Sequence, residues 1–458
     1  MKPITIKQIL DATGGKLLAG SGDNYISHIK QDSRICGEGD LFVAIKGENM
    51  DGHSFVADVI EAGCEAVLIS DEGYLPENVT GVNVILVEDT VKSMGDVAAW
   101  YLDWLGVRKV AVTGSVGKTS VRDMIYYVLS EKYNTGRNMK NFNNDIGLPL
   151  SIFQFDENTE AVVLEMGMNH FGEIDRLAEI VKPEIAVITN IGVAHVENLG
   201  SRDGIFRAKM EIAKHIAASG TLVYASDDEY LTRERTKGAY RQISVGGNGK
   251  SDYILSDVKD YGLKGIRFSL ENNEVNYKIE LPLPGVHNAV NAALAIAVGF
   301  LMGMNVEECA EGLTKAQLTG RRLRVCEGSR AEVIDDTYNA STDSMKSALK
   351  VLENSMCNGK KIAVLGDMFE LGDESERQHR GVGVFAKTLG IDTLISVGKD
   401  ARFIAEGAEG GKIKVIWKPS KEELYPELDR LISQGDVVLV KGSRGMKMED
   451  VVERILDL

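Results

Sequence analysis

Long apolar runs are missing from this 458-residue chain. The longest uncharged apolar stretch, residues 292–304, falls short of the roughly 20 residues needed to cross a bilayer and carries glycines, so a buried helix is expected and stable membrane insertion is not. The opening MKPITIKQILDATGG has neither an apolar h-region nor a small-residue cleavage site, and a cytoplasmic location is expected. Cysteine is scarce: Cys36, Cys64, Cys309, Cys326 and Cys357 are odd in number and scattered, with no C-x-x-C spacing, which fits reduced thiols. Positive charge is in deficit, 52 Lys and Arg against 68 Asp and Glu, for a net charge of -16. A general nucleic-acid binder needs a basic face, so that class is excluded, and an anionic substrate must meet cations gathered locally. Repeats, low-complexity tracts and long linkers are lacking as well.

What is present is an ordinary globular composition, 44% hydrophobic and 26% charged, with 48 glycines and 8 prolines. The length is about three times that of a usual domain, which predicts two or three domains. Up to residue 89, short apolar runs at 41–45 and 66–69 alternate with glycine and acidic turns, the pattern of a small α/β unit. From residue 108 short β-rich runs at 110–112, 161–164, 185–188 and 222–224 alternate with helical stretches, which predicts a parallel sheet covered by helices. Between residues 242 and 281 polar and apolar residues alternate around Asn272-Asn273, as in an antiparallel ribbon inserted in the central domain. A second α/β alternation begins near Glu332, with strands expected at 362–365, 393–397 and 437–440. The expected fold is therefore α/β in three domains, at 1–89, 90–317 and 318–458. The first is a small α/β domain, the second a parallel-sheet domain with an antiparallel insertion, and the third a Rossmann-like α/β domain.

The segment VAVTGSVGKTS, residues 110–120, carries the chemistry. A β-branched strand runs into a glycine turn, and Lys118 and Thr119 open a helix whose apolar residues Val121, Met124, Ile125, Val128 and Leu129 recur at helical spacing. Gly114 and Gly117 let backbone approach phosphates, with Ser115, Val116 and Ser120 completing the cradle. Lys118 supplies a point charge to the β and γ phosphates of ATP, and Thr119 offers a hydroxyl to Mg²⁺. The common G-x-x-x-x-G-K-[ST] pattern has glycine where this chain has Val112. Glu165 closes the 161–164 strand at its carboxyl end, where open α/β sheets place ligands, and offers a hard oxygen suited to Mg²⁺. His195 follows the next strand through a glycine-containing loop and is expected to face the same crevice. Asn288 and Asn291, three apart on a helix opened by Pro284-Gly285, share a face. They either read a base edge or are satisfied by loop backbone.

The variant loop TGSVGKT resembles that of the Mur ligases, ATP-dependent enzymes that build the peptide stem of cell-wall precursors. Further blocks follow in chain order: QDSRICGEGDLFVAIKGENMDGH (31–53), NFNNDIGLPLS (141–151), LEMGMN (164–169), TNIGVAHVENLGS (189–201), AKMEI (208–212), PGVHNAVNAALA (284–295), DDTYNASTDSM (335–345), LGDMFELG (365–372) and VKGSRGMKME (440–449). One departure is Ser341-Thr342, where the family pattern of the tyrosine block usually continues Asn-Pro.

The resemblance implies an amide ligase that activates a carboxylate with ATP as an acyl phosphate. Its implied substrates are UDP-N-acetylmuramoyl-tripeptide and D-alanyl-D-alanine, with two Mg²⁺ ions; separately, a monomer is expected. It implies that Glu165 and His195 serve metal sites and that Asn288 and Asn291 lie near adenine. Arg322 and Asp336 would touch phosphate and ribose when the domains close, and Lys209, on bare sequence a solvated charge, would carry a carbamate that joins Thr119 among the metal ligands. Ser33, Arg34 and Lys46 fall in the implied uridine-diphosphate region, where plain surface charge is the competing reading for Arg34 and Lys46. Asn143 and Asn144 are implied to line the channel for muropeptide and nucleotide. Two other readings stand beside this one. The first is a sister Mur ligase or folylpolyglutamate synthase adding a single amino acid, and the second is an ATP-sensing module that drives no ligation.

Overall fold

Strand formation follows the short β-branched runs, and the computed structural model describes residues 1–193 and 196–458. The first sheet contains β1 (Lys16–Ala19), β2 (His28–Lys30), β3 (Asp40–Val43), β4 (Ala66–Ile69) and β5 (Asn83–Leu86), in the order β1-β5-β4-β3-β2. β2 through β5 pair in parallel and β1 lies antiparallel to β5. β3 and β4 are buried at every position, as expected of strands covered on both faces. Lys30 pairs in register with Phe42, so the turns after β2 and β3 leave the sheet at one end. Helix α1 (Thr90–Leu105) follows, started by the Asp89 carboxylate accepting from the Lys92 N–H and stopped by Gly106 in the left-handed region.

The second sheet has nine strands: β6 (Arg108–Thr113), β7 (Thr135–Arg137), β8 (Ala161–Glu165), β9 (Ile185–Ile188), β10 (Thr221–Ala225), β11 (Arg241–Gly246), β12 (Tyr253–Asp260), β13 (Ile266–Asn272) and β14 (Val275–Leu281). Their order is β14-β13-β12-β11-β10-β9-β6-β8-β7. β7, β8 and β6 are parallel, as are β10, β11 and β12, while β13 runs antiparallel to both β12 and β14. The expected ribbon is thus narrower than the 242–281 pattern implied. Gln242 belongs to a parallel strand, and the antiparallel strands extend the central sheet. The hairpin turns at Asn273 and Glu274, whose φ values of 50° and 65° match a two-residue turn with both residues left-handed.

Helix α2 (Lys118–Ser130) follows β6, α3 (Arg202–Met210) precedes β10, and α4 (His287–Leu301) packs on α2. The close approach of α4 requires small residues. A Cβ on Gly299 would sit 2.9 Å from Val128 Cγ1. The apolar stretch beginning at Ala292 is buried here, as expected. Among the described residues no helix is long and apolar enough to cross a membrane.

The third sheet has β15 (Arg324–Glu327), β16 (Ala331–Asp336), β17 (Lys361–Gly366), β18 (Thr393–Val397), β19 (Lys414–Lys418) and β20 (Asp436–Lys441), in the order β15-β16-β20-β17-β18-β19. All pairs are parallel except β15 with β16. Alternate residues of the central strands feed two separate cores. Ile334, Ala363, Leu365 and Leu439 point into one, while Val333, Ile362, Val364 and Val438 point into the other, so both faces are covered. Helix α5 (Thr342–Asn354) covers one of them.

The chain divides into two compact units. One comprises residues 1–112, 133–186 and 211–220, the other 113–132, 187–210 and 221–458.

Candidate active site

The phosphate loop is built on backbone. At Gly114, φ is +153°, and a Cβ there would lie 1.8 Å from Thr189 Oγ1, so no larger residue fits. Gly117, at φ +83°, precedes α2 without a side-chain cap, and a helix start of this kind favours an anion. The loop is tied down by residues that follow β9. Thr189 Oγ1 and Asn190 Nδ2 both donate to the Val116 carbonyl, at 2.6 and 2.8 Å, while the Val116 N–H donates to Asn190 Oδ1 at 2.9 Å. The Ser115 N–H donates to the Asn190 carbonyl at 3.1 Å and the Gly192 N–H to Ser115 Oγ at 2.9 Å. Thr189 and Asn190 stand in the TNIG stretch, but nothing in their spacing singled them out. A Thr-Asn pair straight after an apolar strand that flanks a phosphate-loop strand was the available signal.

Two lysines converge on one carbonyl. Lys118 Nζ donates to Gly114 O at 2.9 Å and Ser115 O at 3.3 Å, and Lys209 Nζ, from the last turn of α3, donates to Gly114 O at 2.8 Å. Lys209 is 1% exposed, contrary to the solvated charge that bare sequence predicts. Burial first, and the Lys118 charge second, push its pKa well below the usual lysine value. Thr119 and Ser120, beside Lys118, are both buried.

Glu165 ends β8 in the other compact unit and is 3% exposed. Its N–H donates to Asn138 Oδ1 at 2.5 Å, and its Oε1 accepts from Asn143 Nδ2 at 2.8 Å. Asn143 therefore orients the carboxylate, while Asn144 Oδ1 accepts from the Gly147 N–H at 2.8 Å and shapes the turn that follows. Asn138 was not singled out by sequence; its role is a tertiary contact. His195 lies outside the described residues.

The remaining candidates have partners within the protein. Asn288 donates to the Pro284 carbonyl at 2.8 Å and accepts from Asn291 Nδ2 at 2.8 Å, and Asn291 Oδ1 faces Gly117. Arg322 lies 3.9 Å over the Tyr338 ring and donates to Thr319 O at 3.1 Å. Asp336 accepts from Lys441 Nζ at 2.6 Å and from the Leu323 N–H at 3.2 Å. Ser341 caps α5 through its side chain and Thr342 takes the first helical position, where the family pattern places Asn and Pro. Both pairs satisfy the same preferences for an oxygen-bearing cap and a helix-starting residue.

In the first sheet's region Ser33 and Arg34 open the short helical turn Ser33–Ile35, and Lys46 is exposed on the loop after β3. The Arg34 side chain is 85% exposed and forks onto Asp32, holding that carboxyl down to about 2.

Three family descriptions match the chain in order: "Mur ligase family, catalytic domain" over residues 25–101, "Mur ligase middle domain" over 112–299 and "Mur ligase, glutamate ligase domain" over 321–444. The UDP-N-acetylmuramoyl-tripeptide--D-alanyl-D-alanine ligase of Bacillus subtilis is 40% identical across 99% of this chain and 98% of its own length. The chain belongs to the Mur ligase family. Among solved structures, MurF from Acinetobacter baumannii is 33% identical with a TM-score of 0.92, each chain covered in full. MurF ligase from Thermotoga maritima in complex with ADP is 29% identical with a TM-score of 0.83, over 94% of this chain and 97% of that one. As in those Mur ligases the fold is α/β in three domains.

Proposed function

We propose that this Mur ligase joins D-alanyl-D-alanine to the terminal carboxylate of UDP-N-acetylmuramoyl-tripeptide, converting ATP to ADP and phosphate. One observation carries the reading: a fully formed phosphate loop sits in a chain that matches, end to end, a relative named for that reaction. In this reaction the tripeptide carboxylate takes the γ-phosphoryl group and becomes an acyl phosphate. The dipeptide amine then attacks the acyl carbon, and the tetrahedral adduct collapses with loss of phosphate. The loop's N–H groups and Lys118 hold the phosphates in line and stabilise charge on the group in transfer. The proposed domains are 1–89 for the UDP-linked substrate, 90–317 for ATP and 318–458 for closure over both, and the three matched family ranges fall one within each of the last two and largely within the first. Action as a cytoplasmic monomer is part of the same proposal.

The proposed donors suit Mg²⁺ in their chemistry, each taken by itself: the buried Glu165 carboxylate and the buried Thr119 hydroxyl are hard oxygens. Among the described residues no three His, Cys, Asp or Glu side chains gather into a metal cluster, so phosphate and water oxygens would complete the coordination. Thr119, Glu165, His195 and a carbamate on Lys209 are the proposed ligands, for two ions that would neutralise phosphate charge. Burial supports the carbamate: lowering the Lys209 pKa favours the neutral amine, whose lone pair can add to CO₂ with release of one proton, leaving an anionic oxygen donor. Ser33, Arg34 and Lys46 are the proposed uridine-diphosphate contacts, with Asn143 and Asn144 toward the peptide. Asn288 and Asn291 are proposed beside adenine, and Arg322 and Asp336 at phosphate and ribose.

Phosphate release tests the reaction. It is expected only when tripeptide and dipeptide are both present, assayed with lysine- and diaminopimelate-containing tripeptides. Slow turnover indifferent to both substrates would point to an ATP-sensing module, and turnover with a single amino acid would point to a sister ligase. Lys209→Ala is expected to lower kcat by about a hundredfold or more and to recover in part with added short-chain carboxylate; unchanged activity would remove the carbamate.

A further inference from the structure

The phosphate-loop helix holds a fully buried ion pair that the chemistry above does not use. Arg122 and Asp123, about one turn beyond Lys118, are both 0% exposed. Arg122 Nε and Nη2 donate to Asp123 Oδ1 at 3.0 and 2.6 Å. The other oxygen, Asp123 Oδ2, accepts the backbone N–H of Thr319 at 2.5 Å across 196 residues of sequence. Two buried charges are costly unless each is paired and hydrogen-bonded, so a pair retained here fixes a geometry more than it adds stability.

What it fixes is the peptide that leads to Arg322. The Thr319 carbonyl accepts from Arg322 Nη1 at 3.1 Å, and the Arg322 guanidinium stacks 3.9 Å over Tyr338. Between the two stands Gly320, at φ +80°, a conformation that favours glycine. On its far side the chain is fastened to the third sheet. Arg321 O accepts the Tyr338 N–H at 3.1 Å, Arg321 pairs with Asp335 at 3.2 Å, and the Leu323 N–H donates to Asp336. Thr319 is therefore anchored to the helix that opens at the phosphate loop, Arg321 to the C-terminal sheet, and a glycine separates the anchors.

We infer that Asp123 is a positioning residue for Arg322: by fixing the Thr319 peptide it sets where that guanidinium stands relative to the phosphate loop. The inference rests on the proposed contact between Arg322 and nucleotide phosphate. Its test is a double-mutant cycle on KM for ATP, with tripeptide and dipeptide saturating. The chains compared are wild type, Arg322→Ala, the paired replacement Arg122→Met with Asp123→Leu, and all three substitutions together. Replacing both charges together with apolar residues of similar volume avoids stranding one member of the pair. Arg322→Ala and the paired replacement are each expected to raise KM about tenfold, and the combination also about tenfold, where independent effects would give about a hundredfold. An unchanged KM in Arg322→Ala would overturn both the phosphate role of Arg322 and this inference. A raised KM in Arg322→Ala with multiplying effects in the combination would overturn the Asp123 link alone. The link is also readable without substitution. The Thr319 amide of the wild-type chain is expected to exchange about a hundredfold or more slower than an unprotected amide. Exchange at the unprotected rate would overturn the link even if the replaced chains failed to fold.

Discussion

The phosphate loop and the turn that carries Ser33 and Arg34 are both proposed to meet phosphates, yet they are built in opposite ways. The loop presents backbone N–H groups from a helix start, held by Thr189 and Asn190, with its lysines bonded to Gly114 O. The turn presents side chains: Arg34 is 85% exposed and its partner Asp32 lies beside it on the same turn. A preorganised backbone site leaves little to reorder when the nucleotide arrives, which suits a group that must be held in line for transfer. An exposed arginine gives attraction and orientation, which suits a diphosphate that serves as a handle and undergoes no chemistry. The two sites should therefore respond differently to substitution and to salt.

The largest expected effect tests the rigidity of the loop. In Gly114→Ala the new Cβ would stand 1.8 Å from Thr189 Oγ1, so either the loop or the end of β9 must move. A fall in kcat/KM for ATP of about a thousandfold is expected, with a stability loss of about 2–4 kcal/mol read by thermal unfolding. KM for the UDP-linked substrate should hardly change. If ATP turnover survived this substitution, the loop would be no more preorganised than the turn.

A middle-sized effect is expected at Asn190. Asn190→Ala removes both of its side-chain hydrogen bonds with the Val116 peptide, at 2.8 and 2.9 Å, but leaves Thr189 Oγ1 on the carbonyl. KM for ATP should rise about tenfold, near the 1–3 kcal/mol that a buried unsatisfied donor costs. Equal changes in the KM values of both substrates would show that Asn190 supports the fold at large.

How legible these features were in the sequence follows from whether they are local. The strand, glycine turn and amphipathic α2 are written in consecutive residues, so 110–120 could be read directly. The parallel strands β17, β18 and β20 of the third sheet were equally plain, being buried at nearly every position, whereas the edge strands were not: β15 exposes Arg324, Val325 and Glu327, and β19 is exposed or half-buried along its length, so neither has an apolar run to mark it. The burial of Lys209 was invisible, because only the tertiary fold places Gly114 O opposite it; family resemblance alone marked that residue. Thr189, Asn190 and Asn138 escaped for the same reason, each bonding to a peptide group brought near by sheet order. Ser341-Thr342 departs from the family pattern in letters and keeps its function, since a helix start accepts either pair.

The smallest expected effect decides what Arg34 is. An exposed ion pair is screened by solvent and adds little, so Arg34→Ala should leave thermal unfolding essentially unchanged whether or not the residue binds substrate. Binding is therefore the informative readout, and Asp32 makes it two-sided. The carboxylate occupies the guanidinium fork in the free chain, at 2.6 and 2.8 Å, and a diphosphate must share or displace it. Asp32→Asn keeps an oxygen to accept the Arg34 N–H in the turn while removing the competing charge. If Arg34 holds the diphosphate, Arg34→Ala should raise KM for the UDP-linked substrate about threefold to tenfold and Asp32→Asn should lower it about twofold, both shifts shrinking as ionic strength rises. A residue that is only surface charge would move neither value, and shifts of the same sign would mean that the turn itself had been disturbed.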